Sequence, residues 1–164
     1  MKTSQQGIDL IKEFESLHDG DLKKAGLQPK MDPIGIWTEG YGRAMRDDKG
    51  NFIKGSANRA LAEKRASVYT EKDAEVALRQ DLEVYERIVA QKVKIPLTQN
   101  QFDALVSYTY NTGGSDTLWS LINKRADAAK IENWFLTKYI TAGGVKLKGL
   151  VHRRKAEWVL YRSN

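Results

Sequence analysis

The chain has no cysteine, which excludes disulfide staples, thiolate catalysis and a cysteine-ligated zinc. Its two histidines, His18 and His152, are too few for a metal centre built on imidazole, and no metal or other cofactor is expected. Long apolar runs are missing as well. No stretch approaches the roughly 20 residues of a membrane span, and the opening "MKTSQQGIDLIKEFES" carries charge too early for a signal peptide. The expectation is a cytoplasmic protein that reaches any other compartment only if something else lets it out.

What is present fits an ordinary soluble protein of single-domain length: 164 residues, 41% hydrophobic and 29% charged. The formal charge of +6 is unevenly spread. From Lys124 to Asn164 ten Lys and Arg face three acids, while the rest of the chain holds 17 against 18. A basic quarter of this kind draws a protein to an anionic polymer such as nucleic acid, lipopolysaccharide or a carboxylate-bearing cell wall, or it is a solvated helical face that only aids solubility.

Along the chain, Thr3 and Gln6 have capping-box spacing, and Ile8, Ile11 and Phe14 predict a helix over residues 4 to 16. From 17 to about 56, glycines, prolines and short alternating apolar runs predict a small antiparallel hairpin region. Thr70 with Asp73 opens a long helix to about Val93. "TQNQ" at 98 to 101 opens another that stops at Gly113-Gly114. Shorter helices are expected at 116 to 124, 127 to 139 and 150 to 161, the last two separated by "AGG". The fold class is α+β: a small lobe over about 15–65 and a helical lobe over about 70–164 plus the N-terminal helix, joined by the long helix in a single domain.

On a wheel of about 100° per residue, Asp9 and Glu13 fall on the solvent side of the first helix, and Glu15 falls between Ile8 and Ile11. A carboxyl held in an apolar stripe favours its proton-carrying form, as a general acid requires. The segment "DPIGIWTEGYG", Asp32 to Gly42, adds a second carboxylate, the Thr38 hydroxyl, the aromatic rings of Trp37 and Tyr41, and Gly40 and Gly42 on one face of a strand, where a ligand can approach the backbone. Each of these residues has an ordinary structural use: Asp32 before Pro33 starts turns, and Trp37 and Tyr41 are more often core. Together they match glycoside hydrolysis, in which one carboxyl protonates the leaving oxygen while the other activates a water or stabilises an oxocarbenium-like transition state.

Four segments in order, "LIKEFESL", "DPIGIWTEGYG", "PLTQNQFDALVSYTYNTGG" and "GLVHRRKAEWVLY", resemble the bacteriophage lysozymes, the endolysins of glycoside hydrolase family 24, over nearly the whole chain. The resemblance implies a lysozyme-like fold and hydrolysis of the β-1,4 bond between N-acetylmuramic acid and N-acetylglucosamine in peptidoglycan. It implies Glu15 as general acid, Asp32 as second carboxylate and Thr38 as the hydroxyl that places the attacking water, hence inversion. Asn111 is implied as a residue of the cleft, and Arg153, or its neighbour Arg154, as an arginine near the glutamate. It further implies a monomer that waits in the host cytoplasm for a holin and then acts on periplasmic peptidoglycan. Three features depart from the family: the interval from Glu15 to Asp32 is enlarged, Arg43 stands where many relatives have histidine, and the stretch 43–69 is extended. Competing readings are a lytic transglycosylase working with one glutamate, a basic nucleic-acid-binding protein, and a wall-binding module without catalysis.

Overall fold

Two capping boxes set where two of the three longest helices begin. Thr70 Oγ1 accepts from the Asp73 N–H at 3.1 Å while Asp73 Oδ2 accepts from the Thr70 N–H at 2.9 Å, which starts α3, Glu71–Lys92. Thr98 and Gln101 make the same reciprocal pair at the start of α4, Gln99–Thr112, and Gly113, at φ 81°, ends it in the left-handed conformation that favours glycine. A computed structural model describes residues 1–163. In chain order its elements are α1 (Gln5–Phe14), β1 (Lys30–Met31), β2 (Trp37–Glu39), β3 (Arg43–Ala44), α2 (Arg59–Arg65), α3, α4, α5 (Asp116–Asn123), α6 (Ala128–Thr137), β4 (Thr141–Ala142), β5 (Val145–Lys146) and α7 (Lys148–Arg162).

The chain divides into two compact units, Met1–Phe14 with Leu82–Asn164, and Glu15–Asp81. One boundary falls inside α3 and the other directly after α1.

The helical unit is organised around α4. Every residue from Phe102 to Thr109 is buried, so the middle of α4 has no solvent face and reads as apolar all round apart from Asp103, Ser107, Tyr108 and Thr109. Helices α1 and α7 pack against it, α6 packs on α7 and α5 on α6. Asp103 is fully buried because it terminates the chain entry to α1: its carboxylate accepts from the Ser4 N–H at 3.0 Å and from the Ser4 hydroxyl. The first helix differs from expectation at both ends. Ser4 rather than Thr3 caps it, its hydroxyl accepting from the Gly7 N–H at 3.4 Å, because Thr3 turns both its N–H and its hydroxyl to Glu86 at 2.8 Å. It stops at Phe14, two residues short of the predicted end.

The small unit is built on three short antiparallel strands in the order β1-β2-β3, with Lys30 opposite Thr38, Met31 opposite Trp37, and Thr38 opposite Ala44. One core cluster, Trp37, Met45, Ile53 and Ala62, lies against the partly buried Leu61 and Ala66. Helix α2, which supplies Leu61 and Ala62, is not among the helices expected from the sequence; its seven residues are too short to show a helical period. The hairpin β4-β5 was likewise read only as the spacer "AGG". The enlarged interval after Glu15 is tied down by backbone bonds, Gly20 N–H to Gln28 O at 2.9 Å and Leu27 N–H to Tyr69 O at 2.8 Å.

Candidate active site

Glu15, His18, Asp32 and Thr38 all belong to the small unit. Glu15 is the first residue past α1 and is half-buried at a bend. With the helix ended at Phe14, Glu15 is not part of the apolar stripe of Ile8 and Ile11, contrary to the helical-wheel expectation. Its place in the chain, at the point where helix gives way to loop, is what frees its direction from the helical period.

Asp32 is also half-buried, and its turn is built from its own side chain. Oδ1 accepts from the Ile34 N–H at 3.0 Å and the Ile36 N–H at 2.8 Å, while the Asp32 carbonyl accepts from the Gly35 N–H at 3.0 Å. Gly35 sits at φ 86°, a conformation that a β-carbon makes costly. The turn-starting use of Asp32 is thus real, but it engages Oδ1. A carboxylate has roughly four lone-pair positions, so Oδ2 retains capacity for a proton or a water.

Thr38 lies in the middle of β2 and is only 4% exposed. Its hydroxyl donates to the Lys30 carbonyl at 2.8 Å, across the strand pair that sets the two residues opposite each other. His18 Nδ1 lies 2.5 Å from the same oxygen. The ring is held from behind by its backbone, whose N–H donates to Gly40 O at 2.7 Å. Burial lowers the pKa of His18 below the ordinary histidine value, Lys30 lowers it further, and Glu15 and Asp32 act in the opposite sense. The net direction is down, so the ring is neutral near pH 7. His18 had entered the sequence argument only as one of too few metal ligands. Its distance of three residues from Glu15 was the available signal, but nothing local says that it meets Thr38 twenty residues on.

Other expectations for this segment are corrected. Trp37, 8% exposed, belongs to the core cluster and donates its indole N–H to Gly55 O at 2.9 Å; Tyr41, 6% exposed, donates its hydroxyl to Glu71 at 3.2 Å. Neither leaves a ring face for a sugar to stack on. Gly40 and Gly42 are not strand residues but form the β2-β3 turn at φ 59° and 91°, and a β-carbon on Gly40 would meet Ala74 at 3.5 Å. Their positive φ makes glycine a requirement of the turn. Next to Thr38, Glu39 is buried, and its carboxylate takes the Ser67 N–H and hydroxyl at 2.8 and 2.7 Å and the Val68 N–H at 3.2 Å. It closes the small unit on itself. Arg43, at the position that departs from the family, clamps α3 through Asp81 at 2.9 Å and the Ala77 carbonyl at 2.5 Å.

In the helical unit Asn111 is exposed near the end of α4, and its Oδ1 accepts from Arg154 Nη2 at 2.5 Å. Arg153 is buried: Nε meets Glu157 Oε1 at 3.2 Å, Nη2 meets the Ser107 carbonyl at 3.4 Å, and the guanidinium lies 5.8 Å from the ring of Phe14. Arg154 and Glu157 are fully buried and pair as charges at 3.2 Å, off the line that a hydrogen bond needs. Burial pushes the Glu157 carboxyl up, against Arg154, Arg153 and the Ser107 hydroxyl, which donates at 2.8 Å.

The family model described as phage lysozyme matches residues 22–157. The chain belongs to the phage lysozyme family. The endolysin of Acyrthosiphon pisum secondary endosymbiont phage 1 is 29% identical, with 99% of each chain covered. The endolysin of Bacillus phage PZA is 32% identical over 99% of this chain but only 56% of its own length, so the chain spans little more than half of that relative. Among solved structures, the muramidase domain of SpmX from Asticaccaulis excentricus is 30% identical and superposes with a TM-score of 0.74 over 99% of both chains. The lysozyme-like fold and the reading as a glycoside hydrolase that degrades peptidoglycan stand on this family membership, and the nucleic-acid-binding alternative falls with it. No helix among the described residues is long and apolar enough to cross a membrane.

Proposed function

We propose that the chain hydrolyses the β-1,4 bond between N-acetylmuramic acid and N-acetylglucosamine with inversion, using Glu15 as general acid, Asp32 as general base and Thr38 as second holder of the attacking water. The observation that carries this reading is His18. One imidazole is bonded to Thr38 and feels the charges of both Glu15 and Asp32, and this shared influence within one unit supports a common role for the three groups. A half-buried Glu15 can donate its proton to the glycosidic oxygen, and Asp32 Oδ2, with Oδ1 fixed by two backbone N–H groups, can take a proton from water. Inverting glycosidases separate their carboxyls by roughly 6.5 to 9.5 Å to admit that water.

Asn111 enters the proposal as an exposed polar contact for the glycan, oriented by Arg154. Arg153, which the family resemblance implies as the arginine near the glutamate, completes the proposed set. In the lytic cycle the enzyme is a monomer that waits in the host cytoplasm, depends on a holin for release, and meets peptidoglycan in the periplasm. Its basic C-terminal quarter supplies attraction to anionic lipopolysaccharide.

Mass spectrometry of digested sacculi, with anomer-resolved analysis of the first products, tests the reaction. Reducing N-acetylmuramic acid ends released first as the α-anomer are expected. Initial β-anomer would mean retention. Reducing N-acetylglucosamine ends would move the cut to the other bond, and 1,6-anhydro ends would make the protein a transglycosylase.

A further inference from the structure

Thr38 Oγ1 has one proton, and that proton is committed. The Lys30 carbonyl 2.8 Å away can only accept, so the hydroxyl must donate to it. The contact of 2.5 Å with His18 Nδ1 then requires the proton between them to sit on the histidine. The ring is therefore an Nδ1–H donor, and of the two lone pairs of Thr38 Oγ1 one is taken by His18 and one is unengaged among the described residues. Both ends of this chain are built in: the Lys30 carbonyl belongs to the β1-β2 pair, and the His18 backbone is pinned to Gly40 O at 2.7 Å.

From this geometry we infer that His18 is a positioning residue of the reaction, which locks the Thr38 hydroxyl so that it meets the attacking water only as an acceptor. The inference rests on the role proposed for Thr38. A water that gives one hydrogen to Thr38 Oγ1 and the other to Asp32 Oδ2 keeps its lone pairs for the anomeric carbon, and Asp32 takes the proton as the new C–O bond forms. A freely rotating hydroxyl could instead donate to the same water and occupy the lone pair that has to attack. His18 and Lys30 O together remove that wrong orientation before substrate arrives. The device is insensitive to the charge of the ring, because an imidazolium carries a proton on Nδ1 as well.

Long-range proton-nitrogen NMR of the wild-type histidines above the His18 titration reads the tautomer directly. The ring proton of His18 is expected on Nδ1; a ring protonated on Nε2 alone would overturn the inference while leaving the muramidase reading intact. Kinetics on soluble glycan strands give the second arm. His18→Phe removes the donor and should lower kcat about tenfold with KM unchanged, the range expected for one lost hydrogen bond. His18→Asn, whose amide nitrogen falls near the place of Nδ1, should recover most of that loss. In a Thr38→Val background His18→Phe should cost nothing further, because its partner is gone. Equal, additive losses in both backgrounds, or no recovery with Asn, would show that His18 acts other than through Thr38. Should His18→Phe fail to fold, the wild-type spectrum and His18→Asn still decide. Full turnover of Thr38→Val would instead remove the water-holding role itself, and this inference with it.

Discussion

The two units bury polar groups to opposite ends. In the helical unit Arg153, Arg154, Glu157, Asp103 and Ser107 are all inside, bonded to one another or to the backbone. In the small unit Glu39 is treated that way, but Glu15, His18 and Asp32 are held at half burial, and Asp32 and His18 have only part of their capacity engaged by loop and strand. A carboxylate closed in by partners is a device for holding elements together, and its removal leaves an uncompensated neighbour. One that is fixed on one oxygen and open on the other is a device for handling protons. The basic C-terminal quarter divides along the same line: its two central arginines, 153 and 154, face inward and cannot contribute to a surface charge.

The sharpest test of that contrast is Glu15→Gln. It should lower turnover by about 10² to 10⁴-fold, the range for loss of a general acid, with the melting temperature unchanged. Glu13→Gln, on the exposed side of α1, should leave both unaltered. An active Glu15→Gln enzyme would mean that half burial in the small unit is no mark of chemistry.

Arg154→Ala should do the reverse. Stripping one partner from a buried ion pair costs about 3 to 5 kcal/mol, to be read by urea unfolding, while the fraction that remains folded keeps its kcat and shows a raised KM, because Asn111 loses the partner that orients it. Unchanged stability would dissolve the distinction from the other side, since neither the buried charge pair within α7 nor the Arg154 bond to Asn111 on α4 would then be contributing.

Trp37→Phe removes the indole bond to Gly55 and leaves a small cavity in the core cluster, and about 1 to 3 kcal/mol of stability should go with it while KM for glycan strands stays put. A several-fold rise in KM with the fold intact would restore Trp37 as a substrate contact.

The smallest effect concerns pH. Burial disfavours the charged Glu86, but the Thr3 N–H, Lys2 and the Thr3 hydroxyl outweigh it, and the carboxyl is held below its ordinary range. A depressed acid contributes stability above its unfolded pKa, near 4.3, and loses it as pH falls through the folded value. The stability gap between wild type and Glu86→Gln should be about 1 kcal/mol at pH 6 and should close between about pH 4.5 and 3. A gap that widens in acid would contradict the direction of the shift.

What the sequence determined by itself is everything governed by neighbours three or four residues apart. The boxes at Thr70–Asp73 and Thr98–Gln101, the left-handed stop at Gly113, the helices α3 to α7 and the Asp32 turn all depend on hydrogen bonds that close locally, so residue type and spacing were sufficient to read them. Tertiary structure decided wherever a distant group competed for the same donor or acceptor. Thr3 lost its capping role to Glu86, eighty-three residues away, and Trp37 and Tyr41 were drawn inward by Gly55 and Glu71. Glu15 fell outside the helix whose period had selected it, reaching the right candidate by an argument its backbone does not obey. His18 was illegible for the same reason. Its meeting with Thr38 needs the loop from Glu15 folded back against β2, and a contact across twenty residues leaves no period in the sequence, only a hydroxyl whose single proton is already spoken for.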